Sequence, residues 1–441
     1  MTTWTNMHWL AGLGLAVWSL GLSAADHYKC AGYGNCAKVG AHLPGISDEE
    51  FETLRAAFDL EFSPEEGLGP IFNGTSCGSC HSLGAPGGAG DIPQAAVRFG
   101  HFSEGGTIFA DMAAQGGPLL QEKSIGQWTA PNGTQCNVEH EFIPTEATVT
   151  TLRLPTPLFG IGLLDAMPDS FFYKLQQSEP EAVRGSVNVV SIRLPDIEDP
   201  AQDVGTKRVG RLTWKAAIVS PTEFAAAATV QEVGVSTQHC VRGASITTWA
   251  TDLKPNGVAV SPEACQDGIL GTDYVVGSCD GGRTKLEPHV EQFYKYMKYL
   301  APVPRAKWAT SMAARRGRRL FNDIGCADCH TSRAFVTPAA PFNGVPGKYA
   351  FYPYSDYLLH DVGDLGDNIG QGGETADKVH LMKTAPLWGI RLRPRLLHDG
   401  RASSISIAIA EHGGQAQAAA QAFLRLSRRA KHDLIKFVSS L

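Results

Sequence analysis

Apolar residues recur at three- and four-residue intervals over 48–60, 287–300, 309–322, 403–411 and 416–440, the spacing that gathers them on one face of a helix. Between about 201 and 300 the chain is richer in β-branched residues and turn formers, and it reads there as strands and loops. The pattern predicts a mainly α fold. Two helical lobes, 26–200 and 301–441, flank a loop- and strand-rich intervening segment over 201–300. One apolar run is of another kind. Leu10 to Leu22 is too short to cross a bilayer comfortably, and Ser23-Ala24-Ala25 follows it with small residues of the kind that a signal peptidase cuts. This predicts an export signal over 1–25 and a periplasmic or secreted product that is not an integral membrane protein. No Lys or Arg precedes the run, so an uncleaved anchor stays open as the other reading.

Length and composition narrow the class. A chain of 441 residues has room for two or three domains, and 43% hydrophobic with 19% charged residues is the balance of an ordinary globular protein. A net charge of −6 argues against a nucleic-acid partner. The 48 glycines suit long loops and a core partly built around cofactors. Of the 10 cysteines, Cys30, Cys36, Cys136, Cys240, Cys265 and Cys279 form an even set that in an exported protein reads as disulfides. Cys30 with Cys36 and Cys265 with Cys279 are local pairs that would leave Cys136 with Cys240, although other pairings are open.

The remaining four cysteines carry the chemistry. They stand in Cys77-Gly-Ser-Cys80-His81 and Cys326-Ala-Asp-Cys329-His330. Two thiols one helical turn apart can each add to a vinyl group of one porphyrin, and the next residue, His, then reaches the iron as an axial ligand. A redox dithiol or a zinc site is the competing explanation, and the repeated terminal His disfavours it. Both motifs follow an apolar residue and Phe, in Ile71-Phe72-Asn73 and Leu320-Phe321-Asn322. A second repeat supports a duplication: Leu152-Arg153-Leu154-Pro155-Thr156-Pro157-Leu158-Phe159-Gly160-Ile161 matches Met382-Lys383-Thr384-Ala385-Pro386-Leu387-Trp388-Gly389-Ile390. The run Arg315-Arg316-Gly317-Arg318-Arg319 is either a partner for haem propionates or a solvated basic face.

With these stretches in place, the chain resembles the superfamily of di-haem cytochrome c peroxidases and methylamine-utilisation (MauG-like) maturases. It is most similar to the di-haem oxidoreductases described as peroxidases or thiol oxidoreductases. Leu152 to Asp169, Gly210 to Ala216, Asp356 to Gly363 and Thr384 to Gly414 carry the resemblance beside the two motifs. It implies two covalently bound haem c groups and a Ca²⁺ between the lobes, with Asp361, Asp364 and Asp367 as either its ligands or an acidic loop. In the peroxidases a His-x-Gly turn is followed fourteen residues on by an axial Met; here His398-Asp399-Gly400 is followed at that distance by His412. The resemblance therefore implies a second haem ligated by His330 and His412, with Met382 and His398 as fallback ligands. For the first haem, on His81, the peroxidases' removable ligand corresponds to His101, 20 residues after His81, and a structural loop histidine is the equal alternative. A distal acid–base group is needed for peroxide chemistry. Asp165 is the candidate, with Glu139, Glu141 and Arg153 behind it. Trp214 either bridges the haems or packs in the core. His360 either meets a propionate or faces the region between the haems.

The leading expectation is an exported di-haem c-type cytochrome oxidoreductase with peroxidase-like chemistry. The His81 haem is reactive toward peroxide or O₂, and the His330/His412 haem relays electrons from a small redox protein or a quinol-linked donor. The alternatives are a di-haem electron-transfer protein without substrate chemistry and a haem-dependent oxygenase of an apolar substrate.

Overall fold

The computed structural model describes residues 38–103, 105–130, 132–194, 204–240, 246–249, 254–260, 288–370 and 374–441. The predicted export signal and Cys30, Cys36, Cys265 and Cys279, with their local pairing, lie outside the described residues. Cys136 is disulfide-bonded. Among the described residues, no helix is long and apolar enough to cross a membrane.

Helix α1 (Asp48–Phe58) starts where the Ser47 side chain accepts from Glu50 N, and it buries Phe51, Leu54 and Phe58. Those side chains meet a later helix. Phe51 stacks on Tyr296 at 5.1 Å and Phe58 lies 4.7 Å from the same ring. The one-turn helix α2 (Cys77–Cys80) carries the first motif. Helix α3 (Pro221–Gln231) begins at Ser220, whose side chain accepts from Glu223 N, with Pro at its first position. Helix α4 (Pro288–Tyr299) brings Phe293 and Tyr296 to α1. Residues 290–303 and 209–233 thus share one core with 43–72 and 158–175.

The reading of 201–300 as strands and loops holds at Lys207–Val209 and at Thr237–Cys240 paired with Ile246–Trp249, but α3 corrects it between them. Ala225, Ala226 and Ala227 are buried on α3. Its less covered face carries Phe224 and Ala228, so the helix shows no polar stripe and periodicity misses it. The fold is also mixed rather than mainly α. Strands run through the first half. Ala96–Phe102 pairs antiparallel with Phe109–Ala110 on one side and Val149–Arg153 on the other. A hairpin joins Gly126–Thr129 to Gln135–Val138. These strands are short, and a period of two over four residues leaves little trace beside the helical signal.

The C-terminal part holds α5 (Met312–Asp323), α6 (Cys326–Cys329), α7 (Ile405–Ala410), α8 (Gln417–Arg425) and α9 (Arg428–Val438). The predicted helix over 416–440 breaks at Leu426, and Ser427 caps its second half by accepting from Ala430 N. Helices α5 and α9 cross at Gly317, where a Cβ would stand 2.0 Å from the Asp433 carbonyl. Beside the crossing, Arg316 grips the Asp433 carboxylate at 2.6 and 3.0 Å. The repeat found in the sequence has a structural counterpart. Gly160 and Gly389 both adopt left-handed backbone, at φ 72° and 70°, right after Leu-Phe and Leu-Trp.

Candidate cofactor sites

Each Cys-x-x-Cys turn ends in its histidine, and each histidine is fixed by its own Nδ1. His81 Nδ1–H donates to the Gly88 carbonyl at 3.1 Å, and His330 Nδ1–H to the Tyr354 carbonyl at 2.9 Å. That bond leaves Nε2 of each ring as the ligating atom, the arrangement that second-shell carbonyls give metal-bound histidines. Burial lowers both imidazoles to about 4, so they are neutral and able to ligate at neutral pH.

Each histidine and both cysteines of its motif line a cavity. The first cavity, about 290 Å³, takes Cys77, Cys80 and His81. The second, about 260 Å³, takes Cys326, Cys329 and His330. None of these four cysteines is in a disulfide. Burial pushes Cys77 and Cys326 up to about 12, the reverse of the acidified thiol of a redox dithiol. The cavities fit a c-type haem each. Thiols and the histidine share one wall, and buried cationic atoms face in without partners: Arg98 Nε at the first cavity, Arg393 Nε at the second. Lys383, also buried, lines the second. These side chains, with Arg153 at the first cavity, are the ones that would meet propionates. The arginine run over 315–319 does not line either cavity; α5 turns Arg316 toward Asp433 instead.

The two cavities differ in their second axial position. Helix α7 ends just before His412, whose Nδ1–H donates to the Ala408 carbonyl at 2.7 Å. Its ring centre lies 6.5 Å from that of His330 across the second cavity. Two imidazoles binding one metal from opposite sides, each with a nitrogen–metal bond of about 2.0 Å, hold their ring centres roughly 6–7 Å apart. Met382 and His398 line the same cavity. His398 Nε2 is buried without a partner, and its ring meets Trp214 edge-on at 6.2 Å.

His81 is the one histidine among the described residues that line the first cavity. His101 lines neither cavity. It sits on the strand that brings Arg98 to the first cavity, but three residues farther on, about 10 Å away along the strand. There it donates to the Glu146 carbonyl at 2.8 Å. Asp165 also lines neither cavity. Leu154, Pro155, Thr156 and Leu158 reach the first cavity, and the turn at Gly160 then carries Asp165 to the buried Arg211, whose Nη1 donates to its carbonyl at 3.2 Å. Glu139 is exposed, and Glu141 is buried and accepts from Gln121 N at 2.8 Å. The acid side chains that do line the first cavity are Glu122 and Glu232. Glu232 accepts from Asn73 Nδ2 at 2.9 Å and lies 3.5 Å from Arg98 Nη2. No motif flags Glu232 or Arg98. They become neighbours only when the end of α3 meets the strand Ala96–Phe102.

Trp214 lines both cavities, its indole N–H donating to the Leu154 carbonyl at 2.9 Å. His360 lines the second cavity, beside Cys329 and 3.1 Å from the Asp356 carboxylate. Asp361, Asp364 and Asp367 do not converge. Asp361 caps its own loop by accepting from Gly363 N, Asp364 is exposed, and Asp367 is buried between Arg153 and Lys215.

A family profile described as "Di-haem oxidoreductase, putative peroxidase" matches residues 126–441. The chain belongs to the di-haem oxidoreductase family. The matched range contains the second motif, Trp214 and His412, while the first motif lies upstream of it. No individually curated protein matches. Among solved structures, a hydrazine synthase of Kuenenia stuttgartiensis pressurised with xenon is similar at 19% identity and a TM-score of 0.26, over 36% of this chain and 57% of that one.

Proposed function

We propose that this di-haem oxidoreductase is an exported, peroxidase-like c-type cytochrome organised around two haem lobes. Its reactive haem is carried by Cys77, Cys80 and His81, and its relay haem by Cys326, Cys329, His330 and His412. The observation that carries the reading is the inequality of the two cavities: two imidazoles face each other across the second, and one histidine stands at the first. Bound there, haem supplies an iron that exchanges electrons and, where a position is open, takes a small oxidant.

The chain's own residues then divide the work. Arg98 and Glu232 line the first cavity together, so a carboxyl group held by a guanidinium is placed to move a proton at an oxidant's oxygen. This is the role expected of Asp165, which lies elsewhere. Trp214 supplies an aromatic wall common to both cavities, a short path for an electron between them. A small redox protein or a quinol-linked donor would feed the second site.

The purified protein, reduced and exposed to CO, should form an adduct on one haem of the two. No adduct and no high-spin signal would leave a plain electron carrier and defeat the reading. Glu232→Gln should lower kcat for peroxide reduction by about 10²-fold or more while both haems remain bound, the usual worth of a positioned acid–base group. An unchanged kcat would remove Glu232 from this role.

A further inference from the structure

A buried charge knot centred on Asp367 and Lys215 lies beside the Trp214 segment that lines both cavities. Asp367 is fully covered, with Arg153 Nε 2.6 Å from one carboxylate oxygen and Lys215 Nζ 2.6 Å from the other. Lys215 Nζ also donates to the backbone carbonyls of Val379 and Leu381, the latter at 2.8 Å. An ammonium has three N–H donors, and three oxygens take them here. Arg153 adds a bond to the Ile369 carbonyl at 3.0 Å. Burial by itself would raise the Asp367 carboxyl, but Arg153 and Lys215 lower it to about 2, so it stays ionised; burial lowers Lys215 to about 8 against the pull of Asp367, which leaves it an ammonium at neutral pH.

The position of the knot matters as much as its chemistry. Lys215 directly follows Trp214, which lines both cavities. Arg153 lines the first, and Lys383, whose backbone N–H donates to the Trp214 carbonyl at 2.9 Å, lines the second. Backbone carbonyls and a carboxylate converging on one point are the donors of a hard-cation site, yet Ca²⁺ takes about 6–8 oxygens, and here the carboxylate is already engaged on both sides. A divalent ion would also stand beside two buried cations, Arg153 and Lys215. Among the described residues, those at this junction do not fit the Ca²⁺ that the resemblance implies.

We infer that Lys215 provides this junction with a built-in cation, an ammonium in an oxygen cage that takes the place of an inter-haem metal ion, ties the Trp214 segment to both cavity walls and raises the potentials of the haems beside it. The inference rests on the di-haem reading above. A buried positive charge disfavours the oxidised, more positive iron, so its loss lowers a midpoint potential.

The test uses the purified holoprotein, with haem content measured first. In the wild type, EGTA and added CaCl₂ should each leave both midpoint potentials and the Tm unchanged. Lys215→Met should lower at least one potential and the Tm while two haems stay bound. Either a potential that shifts when the wild type is treated with EGTA, or a Lys215→Met protein with both potentials unaltered, would overturn the inference. The chelation arm needs no variant, so it decides even where Lys215→Met fails to fold. Fewer than two haems in the wild type would instead defeat the di-haem reading, and this inference with it.

Discussion

Replacing Cys326 and Cys329 together by serine should cut the haem content from two per chain to one and unfold much of the C-terminal half. The second cavity is walled by Leu387, Ile405, Ile409, Leu434 and Val438, and the cluster around Phe321, Phe423 and Phe437 closes behind it. At about 24 cal/mol per Å³ of unfilled space, a void of 260 Å³ would cost up to about 6 kcal/mol. That is comparable with the whole stability of many domains. The haem is therefore expected to act as the missing core of this region as well as its cofactor. The double variant should show one haem in a pyridine haemochrome assay and rapid proteolysis after about residue 300. Unaltered haem content would mean that these thiols do not anchor it.

How far the sequence led differs from one residue to another. The two motifs, the glycine-kinked repeat and the placement of His412 opposite His330 were all readable because each is a local pattern. Cys-x-x-Cys-His closes within one turn, and the fourteen-residue step from His398 spans a single short helix, α7. The helices with a polar face were readable too, within two or three residues of their ends in most cases. What escaped depends on distant parts of the chain meeting. Helix α3 is apolar on its cavity face, at Phe224 and Ala228, as well as on its buried one, so it lacks the polar stripe that periodicity detects. Glu232 and Arg98 are over a hundred positions apart and share a cavity only through the fold. Asp165 and His101 stand outside both cavity linings for the same reason: each lies close in sequence to residues that reach the first cavity, but a left-handed turn in one case and a continuing strand in the other carries it past. Asp367 looked like a metal ligand beside Asp361 and Asp364 because the cations that claim it, Arg153 and Lys215, come from far upstream.

Replacing His412 by Met should raise the midpoint potential of one haem and leave the other where it was. A thioether favours the reduced iron more than an imidazole does, and axial ligand choice moves haem potentials across a span of about 0.8 V. A shift on the order of 0.1 V is therefore the expected size. The position is suited to the exchange. His412 follows the end of α7, is held by the Ala408 carbonyl, and looks across the cavity at His330 with ring centres 6.5 Å apart. Three variants separate the ligand from its neighbours. His412→Ala should open a second position to CO, so that two haems bind it where the wild type offers one. Met382→Leu and His398→Gln, altering two other side chains of the same cavity, should keep the wild-type number of CO adducts. If Met382→Leu opened the site and His412→Ala did not, the relay would be a His/Met haem. Its higher potential would then suit a donor of higher potential than a bis-histidine relay accepts.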